Sequence, residues 1–171
     1  IENFAFTYAW SETAKQDPII SRDVLETHNG GLNYAYGVKV KYFEPFKKVI
    51  KNDKYFNLIK NLNFNPIPNN FTFNTLMDRR LGITTYRFAG TDPQTNTFYN
   101  KQWWWDRNYA LQWDLTKSLK FTFNALNRAV IDELPEFNDA MQPTPDQAKK
   151  DEIWQNIRNL GRTKDYNHNI S

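Results

Sequence analysis

The sequence predicts an all-β fold whose antiparallel strands form part of a transmembrane β-barrel. Aromatic residues make up 16% of the 171 residues, yet the mean hydropathy is -0.77, so large rings are present with few aliphatic residues around them. Several segments alternate large side chains with small polar ones, which is the period of a strand with two different environments. Rings that face lipid and small polar residues that face a wet lumen are typical of barrel walls.

The first two predicted strands cover about residues 2–12 and 31–40. In the first strand the rings occupy the even positions and small residues occupy the odd positions. Its length of about ten residues matches a tilted strand that crosses a bilayer. The intervening stretch 13–30 is polar and contains a proline and the pair Gly30-Gly31, so it is predicted to be a loop.

Three more strands are predicted in the second half of the chain, at about residues 70–87, 103–115 and 119–132. The polar stretch 90–101 is predicted to be a loop. The last two strands keep the same odd-numbered parity of large residues on both sides of a short turn at 116–118. They therefore predict a β-hairpin with one apolar face.

Two short helical inserts are predicted between the strands. Residues 46–61 change from a period of two to an approximately helical spacing. The second helix covers about residues 145–160, with Thr144 as its N-cap and Gln147 completing a capping box. Gly161 follows the last apolar residue, which is a common end of a helix.

The alternation assigns the strand side chains to two environments. We expect the small polar set to face the lumen and the large set to face lipid, because a soluble sheet would place Lys and Glu opposite the rings to meet bulk water. The predicted lumen-facing residues are Thr7, Ala35, Asn74, Gln112, Thr122 and Asn124. The predicted lipid-facing residues are Phe4, Phe6, Tyr8, Trp10, Tyr34, Tyr36, Phe71, Phe73, Trp105, Tyr109, Trp113, Phe121 and Phe123.

Residues that carry chemistry are few. The only histidines, His28 and His168, have no second ligand at metal-binding spacing, and the chain has no cysteine. The adjacent carboxylates Asp132 and Glu133 would point to opposite faces of a strand, so they form no acid-base dyad. We therefore predict no enzymatic activity, no metal site and no cofactor.

Two alternatives remain open for the aromatic runs. They could form the core of a soluble or surface-exposed β-sandwich. They could also provide stacking platforms for a glycan or a single-stranded nucleic acid, centred on Trp103, Trp104 and Trp105. Three consecutive rings cannot share one strand face, so at most Trp103 and Trp105 would form such a platform together.

Three long strings in the chain are similar to the SprA-type translocon of the type IX secretion system. KYFNLIKNLNFNPIPNNFTFNTLMDR, from Lys54 to Arg79, resembles a helix that leads through a double-proline segment into a barrel strand. WWWDRNYALQWDLTKSLKFTFNALNRAVIDE, from Trp103 to Glu133, resembles two strands and the turn between them. IWQNIRNLGRTKDY, from Ile153 to Tyr166, resembles the helix that follows.

The resemblance implies that the chain is a fragment of a very large single-chain outer-membrane barrel of about 36 strands. Such barrels carry folded cargo proteins from the periplasm to the cell surface and are tied to gliding motility. The implied partners are the remainder of the barrel, outer-membrane lipid, secreted cargo, a PorV-like shuttle barrel at a lateral opening and a periplasmic plug protein. Nucleic acid is not among them.

Overall fold

The computed structural model describes residues 3–47, 61–87, 96–138 and 142–171, and it confirms a mostly antiparallel β fold. The described strands form a single sheet whose spatial order follows the order of the chain. None of the described helices is long and apolar enough to cross a membrane. The elements are β1 (Phe4–Lys15), β2 (Ile20–Gly37), β3 (Asn70–Tyr86), β4 (Thr97–Asp114), β5 (Lys120–Val130), α1 (Asp146–Arg158) and β6 (Arg162–Ile170).

The predicted loop at 13–30 is wrong, because most of it belongs to a long hairpin of β1 and β2. The two strands pair from Phe4 with Tyr34 up to Lys15 with Asp23. The chain reverses at Asp17, whose carboxylate Oδ1 accepts hydrogen bonds from the backbone N–H of Ile19 at 2.8 Å and of Ile20 at 2.6 Å. An aspartate that satisfies the backbone in this way makes a compact turn.

Gly30, which was predicted to lie in the loop, and Gly31, which was predicted to begin the second strand, therefore both lie inside β2. A Cβ at Gly31 would lie 2.6 Å from Oγ1 of Thr7 on β1, whereas a Cβ at Gly30 would meet nothing within 4 Å. An added side chain at Gly31 would therefore force Thr7 of the neighbouring strand to shift, whereas one at Gly30 would not displace any atom.

We expect Gly31→Ala to destabilise the sheet by about 1–2 kcal/mol, because the new methyl group overpacks against Thr7. The midpoint of denaturant unfolding would measure this change, with Gly30→Ala as the matched control that costs nothing. Adding Thr7→Ala to Gly31→Ala should restore the midpoint. Equal effects of the two glycine substitutions would contradict the close approach.

The remaining strand boundaries are near the predicted ones, with two corrections. β4 begins at Thr97 rather than 103, since residues 97–101 continue the pairing with β3 as far as Thr85. The described chain has six strands rather than about five. The additional strand, β6, is exposed along its whole length. Its larger side chains alternate with smaller ones, but only Tyr166 and Ile170 among them are large and apolar, so the sequence analysis did not recognise it as a strand.

The helix α1 lies close to the predicted position, but its predicted cap is wrong. Pro145 occupies the N-cap without a side-chain hydrogen bond, and Gln147 bonds to Asp151 instead of closing a capping box. After the helix, Leu160 and Gly161 take positive φ values of 60° and 70°. The helical insert predicted at 46–61 falls mainly on residues 48–60, which lie outside the described part of the chain.

The connections between the strands lie at two opposite ends of the sheet, which we call the insert end and the far end. The insert end carries the turn at 16–19, the link 87–96 and the long insert 131–161 that contains α1. The far end carries the turn at 115–119, as predicted at 116–118, and the link 38–69.

At the far end, the described residues 38–47 and 61–69 of the link 38–69 contact the turn at 115–119. Glu44 forms an ion pair with Lys117, and Phe43 packs edge-on against Phe64 with ring centroids 5.3 Å apart. Hydrogen bonds from Lys117 and Lys47 lower the pKa of Glu44 from 4.5 to about 2. A carboxyl with a lowered pKa supports this contact at neutral pH and loses it as the pH falls towards that value.

Candidate functional site

The register places the side chains on two distinct faces, because residues directly opposite each other in neighbouring strands share a face. We call them the aromatic face and the polar face. Every residue predicted to face lipid lies on the aromatic face, and every residue predicted to face the lumen lies on the polar face. Which environment contacts each face is a separate question.

Rings dominate the aromatic face towards the far end. One row runs from Phe4 through Tyr34 and Phe73 to Tyr109. Ring centroids lie 4.5 Å apart for Phe4 and Tyr34 and 5.0 Å apart for Phe73 and Tyr109. Phe6 on β1 is 74% exposed. This part of the sheet therefore presents a broad, uncovered apolar surface.

Towards the insert end the same face becomes ionic and is contacted by the insert 131–161. Arg79 of β3 donates from Nε and Nη2 to both carboxylate oxygens of Glu133, at 2.6 and 2.9 Å. The carboxylate side chain of Glu133 is only 6% exposed. A bidentate contact of this kind fixes orientation as well as distance.

A second ionic contact lies next to the first. Glu136 of the insert pairs with Lys101 of β4 at 2.6 Å and with Lys149 of α1. Burial of Glu136 alone would raise the pKa of its carboxyl, but hydrogen bonds from the two lysines outweigh burial and hold that pKa below its ordinary value. The same contact raises the pKa of Lys149. The contact therefore joins helix, insert and sheet.

Arg107 of β4 connects the segment that follows the C-terminus of α1 to the sheet. The residue is 4% exposed, and its Nη2 donates to Oδ1 of Asn127 at 2.6 Å and to the carbonyl of Leu160 at 2.9 Å. Its guanidinium lies 4.6 Å from the ring centroid of Trp105. A cation at the carboxyl end of a helix is favourable, because the last carbonyls there carry partial negative charge.

These ionic residues were not singled out from the sequence, although a signal was present. Arg79, Lys101 and Arg107 have the same odd-numbered parity as the rings of their strands. Cations that share a face with the rings require partners, so parity indicates that something covers that part of the face. The sequence does not indicate that the insert supplies the cover.

The apolar part of the aromatic face ends along a diagonal. Its limit in each strand is the first charged, histidine or amide side chain met when the strand is followed from the far end towards the insert end. These side chains are Glu12 in β1, His28 in β2, Arg79 in β3, Arg107 in β4, Asn127 in β5 and His168 in β6.

The polar face carries small residues and amides. One row runs from Asn33 through Asn74 to Asn108, and the side-chain amide of Asn74 donates to that of Asn33. A cavity of about 600 Å³ lies on this face, and five of its twelve lining residues are asparagines, including Asn124 and Asn169. The predicted contrast between large and small residues therefore corresponds to a real difference between two surfaces.

No metal-binding cluster is present among residues 3–47, 61–87, 96–138 and 142–171. No group of three or more His, Asp or Glu side chains in these ranges could hold a metal ion. His28 bonds through Nδ1 to the hydroxyl of Tyr8 at 2.8 Å. Asp132 pairs with Arg162 while Glu133 pairs with Arg79, so the adjacent carboxylates diverge.

Fold and site together define a two-faced antiparallel sheet in which each strand pairs with its neighbours in the chain. No protein-family model matches the chain, and no curated protein matches it significantly.

Proposed function

We propose that the chain forms part of the wall of an outer-membrane pore that conducts folded proteins to the cell surface. The apolar part of the aromatic face contacts lipid and the polar face lines the lumen. By its resemblance to SprA-type proteins, the pore belongs to type IX secretion and gliding motility. Its partners are then the rest of the barrel, a PorV-like shuttle barrel, a periplasmic plug protein and the secreted cargo.

The diagonal limit of the apolar surface is the observation that carries this proposal. When the register is followed from β6 back to β1, His168 lies in the same row as Phe4. Phe4 is eight residues along β1 from Glu12, so the limit shifts by eight residues between β1 and β6. At about 3.3 Å per residue this shift is about 26 Å, and it develops across five strand spacings of about 4.8 Å, or about 24 Å. The limit therefore runs at roughly 45–50° to the strand rows.

A tilted barrel strand accounts for such a diagonal. Strands of transmembrane barrels tilt by roughly 35–45° from the membrane normal, so a membrane plane cuts successive strands at shifted positions. A surface that packs against a second soluble sheet has no need for this shift. The diagonal supports lipid rather than a protein partner as the occupant of the apolar surface.

The two edges of the sheet also favour a larger barrel. Within the described residues no strand pairs with the outer edge of β1 or of β6. Unpaired backbone groups within a bilayer cost several kcal/mol each, so a membrane sheet must continue until it closes. Further strands from the same barrel would pair with both edges.

The proposal is tested by the environment of two neighbouring positions on β5. Phe121 lies on the aromatic face and Thr122 lies on the polar face. A nitroxide label at Phe121 in the full-length protein in lipid should be accessible to oxygen and protected from a water-soluble nickel chelate, because oxygen partitions into lipid. A label at Thr122 should show the opposite preference.

Two results would contradict the proposal. Equal access of the chelate to both labels would mean that both faces meet water. Protection of both labels from both reagents would mean that the aromatic face packs against protein, which favours the alternative of a soluble or surface-exposed β-domain.

A further inference from the structure

Near the insert end, the polar face has a second cavity with a different chemistry from the asparagine-lined one. Its volume is about 330 Å³, and it is lined by Leu76, Asp78, Arg80, Gln102, Trp104, Asp106 and Arg128. This volume is within the range of about 300–1,000 Å³ that is usual for small-molecule sites. Such sites combine apolar contact with a small number of convergent polar groups.

Trp104 provides the apolar contact. Among the tryptophans in the described strands it alone lies on the polar face, whereas Trp103 and Trp105 lie on the aromatic face. An arginine lies near each of the three rings: Arg79 is 5.5 Å from the ring centroid of Trp103, Arg107 is 4.6 Å from that of Trp105, and Arg128 is 5.7 Å from that of Trp104. A ligand in this cavity would therefore pack against the part of the Trp104 indole ring that Arg128 does not cover.

Two ion pairs form the polar part of the cavity. Arg128 donates from Nε and Nη2 to the two carboxylate oxygens of Asp106 at 2.7 and 2.8 Å. Arg80 makes the same contact with Asp78, at 3.2 and 2.8 Å. Both arginine side chains are about half exposed, whereas the two carboxylates are more buried.

The charges of this cavity cancel, because each arginine is paired with its own aspartate. A ligand with a net charge would have to compete with these contacts or meet a like charge. A neutral ligand with many hydroxyl groups can instead bond to the outer edges of paired Arg and Asp groups and to Gln102. Charge-assisted hydrogen bonds of this kind are stronger than neutral ones.

We propose that this cavity binds a neutral saccharide. A pyranose ring has an apolar face of C–H groups that packs against an indole ring through many weak dispersion contacts. Its hydroxyl groups reach Gln102, the pair Asp78–Arg80 and the pair Asp106–Arg128. The site lies on the polar face, so its existence does not depend on whether the aromatic face contacts lipid.

The test is a titration of the full-length protein with cellohexaose and with maltohexaose, in a detergent that has no sugar headgroup. Tryptophan indole N–H signals are observed by NMR, and the signal of Trp104 is assigned by its absence in Trp104→Phe. At least one oligosaccharide should shift the Trp104 signal in a saturable way. The signal of Trp154, which is 60% exposed on α1, should not move.

Substitutions then distinguish a specific saccharide site from nonspecific binding. Trp104→Leu should weaken binding at least tenfold, Trp104→Phe should weaken it a few-fold, and Trp154→Leu should leave it unchanged. Saturable binding that is lost equally in Trp104→Leu and Trp154→Leu would overturn the site. So would the absence of any saturable shift with either oligosaccharide.

Two charged probes decide the class of ligand. An oligogalacturonate and an oligo-dT of similar length should bind less tightly than the better neutral oligosaccharide. Tighter binding of either probe, weakened by added salt, would assign the cavity to an anionic ligand and contradict the proposal.

Discussion

If the apolar part of the aromatic face contacts lipid, as proposed, Phe73→Arg should impair assembly of the full-length protein in the outer membrane, with a cost of about 2–4 kcal/mol. Phe73 lies in the middle of the apolar part of β3, between Phe71 and Met77, and its ring contacts Tyr109. An arginine there would place a charge at mid-membrane depth. The fraction of heat-modifiable, folded protein in outer-membrane fractions measures the effect.

The matched control is Thr72→Arg on the adjacent residue. Thr72 lines the roomy asparagine cavity on the polar face, where a charged side chain can meet water. We expect this variant to assemble as the parent does. Equal loss from the two substitutions would show that arginine harms β3 irrespective of face, and the assignment of lipid to the aromatic face would have to be given up.

Arg79→Leu should release the insert from the sheet. The substitution leaves the nearly buried Glu133 carboxylate without its bidentate partner, and removing one member of a buried pair costs several kcal/mol. Since Arg79 itself is partly exposed, we expect about 3 kcal/mol. Amide hydrogen exchange at Ile131, whose N–H donates to the carbonyl of Trp103, should accelerate about 100-fold.

The neighbouring ion pair provides the control. Asp132 and Arg162 form the same bidentate contact, but both side chains are about half exposed. Arg162→Leu should therefore change exchange at Ile131 far less than Arg79→Leu, because water replaces the lost contact. The double substitution Arg79→Leu with Glu133→Leu should recover most of the protection. If Arg162→Leu and Arg79→Leu act equally, burial of Glu133 is not what fastens the insert.

Alternation predicted the sheet well because its signal is local. The parity of Phe4 to Trp10 and of Trp103 to Phe123 assigns each side chain to a face without knowledge of the neighbouring strands. The separation into two faces continues from strand to strand, because residues paired in the antiparallel register share a face. This is why the two predicted sets of residues fall on two faces.

The parts that were missed depend on contacts between distant residues. The hairpin turn at Asp17 depends on a side chain that accepts hydrogen bonds from two backbone N–H groups. The glycine at position 31 of a strand is explained by the close approach of Thr7 on the neighbouring strand. β6 carries only two large apolar side chains, Tyr166 and Ile170, and it is held in the sheet by pairing with β5. Thr144 has a favourable cap sequence, yet its backbone N–H is engaged by the carbonyl of Glu136.

The candidate site was predictable in composition but not in arrangement. The sequence shows three adjacent tryptophans, and parity separates Trp104 from the other two. It does not show that the pairs Asp78–Arg80 and Asp106–Arg128 meet beside Trp104, because that requires the register of β3 with β4 and of β4 with β5. Register over such separations is set by turns and links, which local patterns do not encode.

The order of the strands has a consequence for how the sheet can form. Each strand pairs only with the strands before and after it in the chain, from β1 through β6. Hairpins with short turns, at 16–19 and 115–119, can close first at small entropic cost, and each then offers an edge to the next strand. The longer links need only bring together edges that are already aligned. A sheet built in this way can lengthen by stepwise zippering, in which each strand pairs with the one before it in the chain.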